Sequence, residues 1–398
     1  MWQRLLQWFA SRLPPVASLT QCADAPDSSR PLEKMSYVAE LDALRGLSVL
    51  TVIASHTMSA YVKNGVGVFI FFVLSGFLIT RILVNEFDRT GKLDFRNFYA
   101  RRFLRLMPAL WVLLAIYITA SIVRGGPHER ACLLSAASAF AYFMNWTRAF
   151  KLGPEGALGH TWSLSVEEQF YIIMPFLLLI LLRLFRRGSV WKILALMALT
   201  SASWRLSLAL SGASLARIYN GLDTEAESLL IGGAIAIAPA GHMVPFLNKF
   251  RLIPVLCLTA VAIFASWDQL VQTLCWSVIS LCTAWLIIVI METGAKKPFP
   301  MMSWLPLVYL GRISYGVYLW HAPIGIWVGR HLSSSSCVVD FAVTLGLAFG
   351  IAAISFHTIE SPMLKLKVHL SADRPRARAT YQNLDSGRVV TNPAVIGR

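Results

Sequence analysis

Ten apolar runs separated by short charged segments limit what this chain can become: residues 44–62, 66–84, 107–123, 168–185, 190–211, 227–241, 252–267, 270–291, 308–330 and 341–359. A helix needs about 20 apolar residues to cross a hydrocarbon core ~30 Å thick. Inside that core backbone amides are satisfied only within helices or closed barrels, and continuous runs of this kind are helices. The expected fold is therefore all-α: a polytopic integral membrane bundle of about ten transmembrane helices. Composition agrees, since 56% of the 398 residues are hydrophobic and 14% charged, against about 25% charged in a soluble domain. An ordinary soluble enzyme, a disordered chain, a collagen and a coiled coil are excluded. The formal net charge of +15 lies between the apolar runs. It therefore speaks for orientation across a membrane, and no nucleic-acid partner is expected.

An eleventh stretch, 132–146, is short for a crossing. Counting it as a span would put Arg183, Arg186, Arg187 and Lys192 outside. Leaving it out gathers them with Arg89, Lys92, Arg96, Arg101, Arg102 and Arg105 on the cytoplasmic side. Lys249, Arg251, Lys296, Lys297 and the basic tail then fall there as well. The expected topology is ten spans with both termini cytoplasmic, and an external loop 124–167 whose apolar middle is re-entrant or packed on the bundle. Three regions follow: 1–36, an amphipathic segment and polar linker; 37–362, the transmembrane domain; and 363–398, a basic, disordered cytoplasmic tail. In the first region Trp2, Leu5, Leu6, Phe9 and Leu13 recur at helical spacing opposite Arg4 and Arg12, which predicts a short helix on the membrane surface. The six cysteines form no CxxC pair and no His falls at ligand spacing from them, so neither a metal site nor a disulfide framework is expected.

Ionisable side chains inside spans are costly and are candidates for function. The first run begins Leu41-Asp42-Ala43-Leu44-Arg45-Gly46 and stays apolar to His56. At 1.5 Å per residue His56 lies about 16 Å along the helix from Arg45. A neutral imidazole at that depth can accept a proton, and it can equally be satisfied by a hydroxyl or carbonyl of a neighbouring helix. In Phe98–Pro108, Arg102 and Arg105 share a helix face. They can clamp phosphates, although basic residues there also serve orientation and lipid head groups. In His160–Tyr171, Ser163 or Ser165 ahead of Glu167 and Glu168 has the pattern of a helix N-cap, yet two acids and a histidine exceed what a cap needs. His321, in Ser314–Pro323, sits among interfacial aromatics and reads as structural. Glu360, before Ser361-Pro362, can be simply the last solvated residue of its run.

Taken in order, these blocks resemble the membrane acyltransferase-3 family, whose members transfer acyl groups, usually acetyl, to envelope and secreted carbohydrates. The resemblance runs from about Tyr37 to Pro362. It is carried by Leu41–Gly46 with His56, Phe71-Phe72-Val73-Leu74-Ser75-Gly76-Phe77-Leu78, Arg101–Arg105 with Pro108, Trp162–Tyr171, Glu227 before Leu229-Leu230-Ile231-Gly232, Ser314–Pro323 and Glu360-Ser361-Pro362. It implies a ten-span bundle, matching the charge count. It places the family's invariant histidine on His56, its partnered arginine on Arg45 and its cytoplasmic arginine motif on Arg102 and Arg105. It also places an acidic residue of the family on Glu360. Many members carry a fused periplasmic esterase-like domain, and none is expected here.

The resemblance implies an O-acyltransferase of the cell membrane, multi-pass and in the bacterial inner membrane, with no permanently bound cofactor. Acetyl-CoA, or another acyl-CoA, is the expected donor substrate, held by Arg101, Arg102 and Arg105. His56 is expected as general base or acyl carrier, Arg45 as charge stabiliser, and Glu167 or Glu168 as an orienter of the acceptor from the external loop. The acceptor is a carbohydrate hydroxyl: exopolysaccharide, lipopolysaccharide O-chain, lipid-linked oligosaccharide or glycoside, with membrane lipid as the other partner. A secondary transporter or flippase uses similar residues, but the inverted repeats and matched broken helices common in that class are not visible in the sequence.

Overall fold

The computed structural model describes residues 37–62, 65–126, 129–239, 244–264, 268–293, 299–332 and 336–363. The amphipathic segment, the linker and nearly all of the basic tail lie outside the described residues.

Every described element is helical. In chain order they are α1 (Ala39–Thr57), α2 (Val66–Thr90), α3 (Phe95–Arg124), α4 (Glu129–Phe140), α5 (Met144–Ala149), a 3₁₀ turn (Gly156–Thr161), α6 (Trp162–Leu184), α7 (Arg187–Leu210), α8 (Leu215–Asn220) and α9 (Leu222–Ile237). They continue with α10 (Val244–Lys249), α11 (Leu252–Phe264), α12 (Gln269–Thr293), a 3₁₀ turn (Pro300–Ser303), α13 (Leu305–Arg312), α14 (Ser314–His331) and α15 (Cys337–Ser355), which runs into a π-turn (Phe356–Glu360). Six helical stretches are long and apolar enough to cross a membrane: α2, α3, the 3₁₀ turn with α6, α7, α12, and α15 with its π-turn. The chain is a multi-pass membrane protein. The other expected spans fall on shorter or more polar helices. α1 carries Asp42, Arg45 and His56, while α9 and α11 have 16 and 13 residues.

One expectation is revised, and of the two readings left open for 132–146 the structure shows the packed one. The run 308–330 is not one helix, because it breaks at Ile313 between α13 and α14. At the break Gly311 lies against the Asp42 carbonyl of α1, and Arg312 turns out to donate to the Tyr37 hydroxyl at 2.8 Å. The stretch 132–146 comprises most of α4, a turn at 141–143 and the start of α5, with Tyr142 in the left-handed region at φ 50°. It packs on the bundle: Gln169 of α6 donates to the Tyr142 carbonyl at 2.8 Å and to Asn145 Oδ1 at 2.9 Å.

α2 forms the centre of the core, with Phe69, Phe72, Val73, Leu74 and Phe77 all buried. Apolar side chains gain little by leaving lipid for one another, so membrane helices associate through small residues that let backbones approach. That is the role of Gly76 and Gly232. A Cβ on Gly76 would collide with the Leu229 carbonyl of α9, and one on Gly232 with the Val73 carbonyl of α2. The glycines in the Ser75-Gly76 and Ile231-Gly232 motifs are therefore packing devices that fix where α2 presents Ser75.

Candidate functional site

α1, α2, α3, α6 and α14 enclose a cavity of about 450 Å³. Its walls are largely apolar (Leu41, Phe71, Phe72, Leu78, Ile79, Leu106), with polar groups at its two ends and a polar wall of Ser75, Arg102, Glu167 and Tyr171 between them. At one end stand Tyr37, Asp42, Arg45 and Arg105. Asp42 accepts from Tyr37 at 2.8 Å and pairs with Arg45 at 3.4 Å and Arg312 at 3.8 Å. Arg105 has no carboxylate within ion-pair distance among the described residues, so its charge faces the cavity.

The other arginines differ, although the sequence groups them. Arg102 donates from Nε to Glu168 at 3.1 Å and lays its guanidinium over the Tyr171 ring. Arg101, one position along and hence on another face of α3, turns to Glu86 at 3.8 Å and stays out of the cavity. Glu167 lines the cavity and accepts from Ser75 Oγ at 2.9 Å and from the Tyr171 hydroxyl at 3.1 Å. Glu167 and Glu168 thus lie within α6 at the level of Arg102, not on the external loop from which they were expected to act. Nor is there a serine cap. α6 starts at Trp162, ahead of both serines, so Ser165 donates back to the Thr161 carbonyl at 3.1 Å and Ser163 turns to Tyr318.

The cavity's other polar end is Ser163 and Tyr318, which meet at 2.6 Å. The Tyr318 hydroxyl donates to the His160 carbonyl at 2.8 Å and accepts from Ser163. Behind it lies a cluster of three histidines: the Tyr318 ring centroid is 5.1 Å from that of His321 and 5.7 Å from that of His160. His56 does not line the cavity; its Nδ1 is 2.9 Å from His321 Nε2 and its ring is exposed. Pro323 explains part of this order. Lacking an N–H, it leaves the Leu319 carbonyl without its helical donor, and His160 Nε2 takes that carbonyl at 3.1 Å. Arg148 pins the turn that carries His160, donating to the Gly159 carbonyl at 3.2 Å and pairing with Glu155 at 2.9 Å.

Glu360 is not a last solvated residue: it is 5% exposed on the π-turn, where Ser355 donates to it at 3.4 Å. It lies beside Gly316 of α14 and outside the cavity lining. A further buried pair, Arg205 of α7 with Glu227 of α9, is completed by Ser277 of α12, which receives from Arg205 at 2.8 Å and donates to Glu227 at 3.2 Å. Glu227 thereby ties three helices together. His321 and Ser163, read from the sequence as structural and as a cap, and Tyr318, given no role there, are the site residues that sequence reasoning missed, whereas His160 was noted only as more than a cap needs. The rule that singled out His56, an ionisable group inside a span, applied equally to His321.

Compared with known proteins, residues 38–357 match a family described as an acyltransferase domain. The chain is 33% identical over 355 residues to the peptidoglycan O-acetyltransferase OatA of Listeria monocytogenes, covering 83% of this chain and 56% of the relative. It is 28% identical over 382 residues to the O-acetyltransferase OatA of Staphylococcus aureus, covering 90% and 62%. It is 31% identical over 349 residues to the putative peptidoglycan O-acetyltransferase YrhL of Bacillus subtilis, covering 82% and 55%. The chain thus spans little more than half the length of these relatives. No solved structure matches it.

Proposed function

This chain belongs to the acyltransferase family that its sequence matches along most of its length, and from that premise we propose that it is a membrane O-acetyltransferase. Acetyl-CoA arrives from the cytoplasmic side and a carbohydrate hydroxyl from the opposite side, in a ten-span arrangement with both termini cytoplasmic. The observation that carries the reading is the cavity. It is cationic at the end formed by Arg45 and Arg105, largely apolar along its length apart from the Ser75–Glu167–Tyr171 wall, and bounded by Ser163 and Tyr318 against the histidine cluster. A CoA thioester has the same order of chemistry: anionic phosphates, an extended pantetheine arm, and a reactive carbonyl at the tip.

Arg105 and Arg45 hold phosphate through charge-assisted hydrogen bonds. Arg102, engaged with Glu168, acts instead by fixing the Glu167–Tyr171 wall. At the far end the imidazole of His56 takes the proton of the acceptor hydroxyl as its oxygen attacks the thioester carbonyl. The C–O bond forms, the C–S bond breaks, and the leaving thiolate receives the proton that His56 took from the hydroxyl, which returns the imidazole to its neutral form. The relatives' names make cell-wall peptidoglycan the first acceptor to examine.

The test is ester-linked acetyl on envelope and secreted glycans, measured by proton NMR in cells with the intact gene, a deletion, and His56→Ala checked for membrane abundance. Loss of one acetyl signal in both altered strains is the expected result and identifies the acceptor. Unchanged glycans in the deletion would overturn the reading.

A further inference from the structure

The histidine cluster determines where protons sit. His321 Nδ1 lies 2.5 Å from the Tyr318 carbonyl. A carbonyl only accepts, so Nδ1 carries the proton and a neutral His321 presents a lone pair at Nε2. That nitrogen is 2.9 Å from His56 Nδ1. The two ring planes are within 8° of parallel with centroids 5.0 Å apart. At that nitrogen separation the rings meet edge to edge, the orientation that a linear N–H···N bond requires. A charged His321 would reverse the bond. However, His321 is 1% exposed and has no carboxylate within ion-pair distance among the described residues, and an uncompensated buried cation is strongly disfavoured.

From this geometry we propose that His321 is a positioning residue that holds the proton of His56 on Nδ1 and leaves Nε2, on the exposed ring, as the nitrogen with a free lone pair. It does for His56 what the acid does in a nucleophile–histidine–acid triad, which is to fix tautomer and ring orientation. Here a second imidazole does this without placing an anion in the bundle. The chain of order starts in the backbone: the Tyr318 carbonyl orients His321, His321 orients His56, and the Tyr318 side chain faces the cavity from the same helical turn. The catalytic consequence rests on the transferase reading above, whereas the tautomer does not.

The experiment uses the full chain in nanodiscs with ¹⁵N-labelled histidine, assigning the His56 signal by its loss in His56→Ala. Without a partner, imidazole in water favours the Nε2–H form, so the wild-type expectation of Nδ1–H runs against the default. Two variants separate position from bulk. His321→Asn keeps a group near Nδ1 but cannot reach His56, while His321→Gln places an acceptor oxygen near the former Nε2. His56 should switch to Nε2–H in the Asn variant and remain Nδ1–H in the Gln variant. Acetyl transfer from acetyl-CoA should fall about 100-fold in kcat in the Asn variant, with KM for acetyl-CoA within about twofold, and recover largely in the Gln variant. A wild-type His56 protonated on Nε2, or a tautomer identical in the Asn variant and wild type, overturns the proposal whatever the activity. If the Asn variant does not accumulate, the wild-type and Gln spectra decide alone. Loss of acetylation without a change of tautomer would retain the transferase reading and discard this one.

Discussion

Arg105 and Arg102 share a motif and a helix face, yet their surroundings predict opposite consequences when each is changed to glutamine. Arg105 has no carboxylate partner among the described residues and faces the cavity. Arg105→Gln therefore breaks no protein ion pair and should leave the thermal transition close to wild type. It removes one hydrogen bond to a charged phosphate, worth about 1.5–3 kcal/mol. At 1.4 kcal/mol per factor of ten, the Kd for acetyl-CoA should rise about 10- to 150-fold. Arg102→Gln instead strips Glu168 of its cation at 3.1 Å and the Tyr171 ring of its cover. Both partners of that pair are mostly buried, at 16% and 18% side-chain exposure. Leaving the carboxylate alone costs about 1–3 kcal/mol, and the cost falls on the fold. The assay is calorimetric titration of acetyl-CoA, and of S-acetylpantetheine as a donor without phosphates, into each protein in nanodiscs, alongside thermal unfolding. Arg105→Gln should weaken acetyl-CoA and leave S-acetylpantetheine unchanged. Arg102→Gln should lower the transition and weaken both. A phosphate-dependent loss in the Arg102 variant with none in the Arg105 variant would refute the division of roles.

Three more outcomes follow from the packing. Removing one partner of the buried Arg205–Glu227 pair, whose side chains are 1% and 6% exposed, by Arg205→Ala or Glu227→Ala should destabilise by about 3–5 kcal/mol. This would appear as loss of folded protein in fluorescence-detected chromatography, and equal yields of variant and parent would contradict it. Gly76→Ala and Gly232→Ala force apart backbones in contact across α2 and α9 and should cost about 1–3 kcal/mol. Gly188→Ala meets nothing within 4 Å and serves as the silent control in the same unfolding series. Tyr318→Phe removes the hydroxyl that bonds the His160 carbonyl at 2.8 Å and Ser163 at 2.6 Å. Acetyl transfer should then drop in kcat while acetyl-CoA affinity holds, and a change confined to affinity would remove Tyr318 from the reacting end.

What the sequence made legible was whatever depends on local pattern. Apolar runs marked the long helices because a lipid environment leaves the backbone few alternatives. The spacing of Arg102 and Arg105 placed them on one face because helical geometry is fixed. The partners of those residues were not legible, since they come from chain positions tens to hundreds of residues away. Glu168 meets Arg102 across 66 positions, Ser75 meets Glu167 across 92, and His321 meets His56 across 265. Adjacent arginines that looked interchangeable therefore separate into one turned to Glu86, one neutralised by Glu168 and one left facing the cavity. The glutamates looked like acceptor contacts in an outer loop because a loop boundary was drawn through their block. In the folded chain α6 begins five residues before Glu167 and carries both acids inside. His321 reads as a structural histidine among aromatics, and that remains true of its packing. Its chemistry comes from one carbonyl and one imidazole, and these fix its proton because a carbonyl accepts and cannot donate. A site of this kind is specified by the order in which donors meet acceptors, and in this bundle that order begins on a single helix, where the Tyr318 carbonyl takes His321 and Pro323 leaves the Leu319 carbonyl to His160.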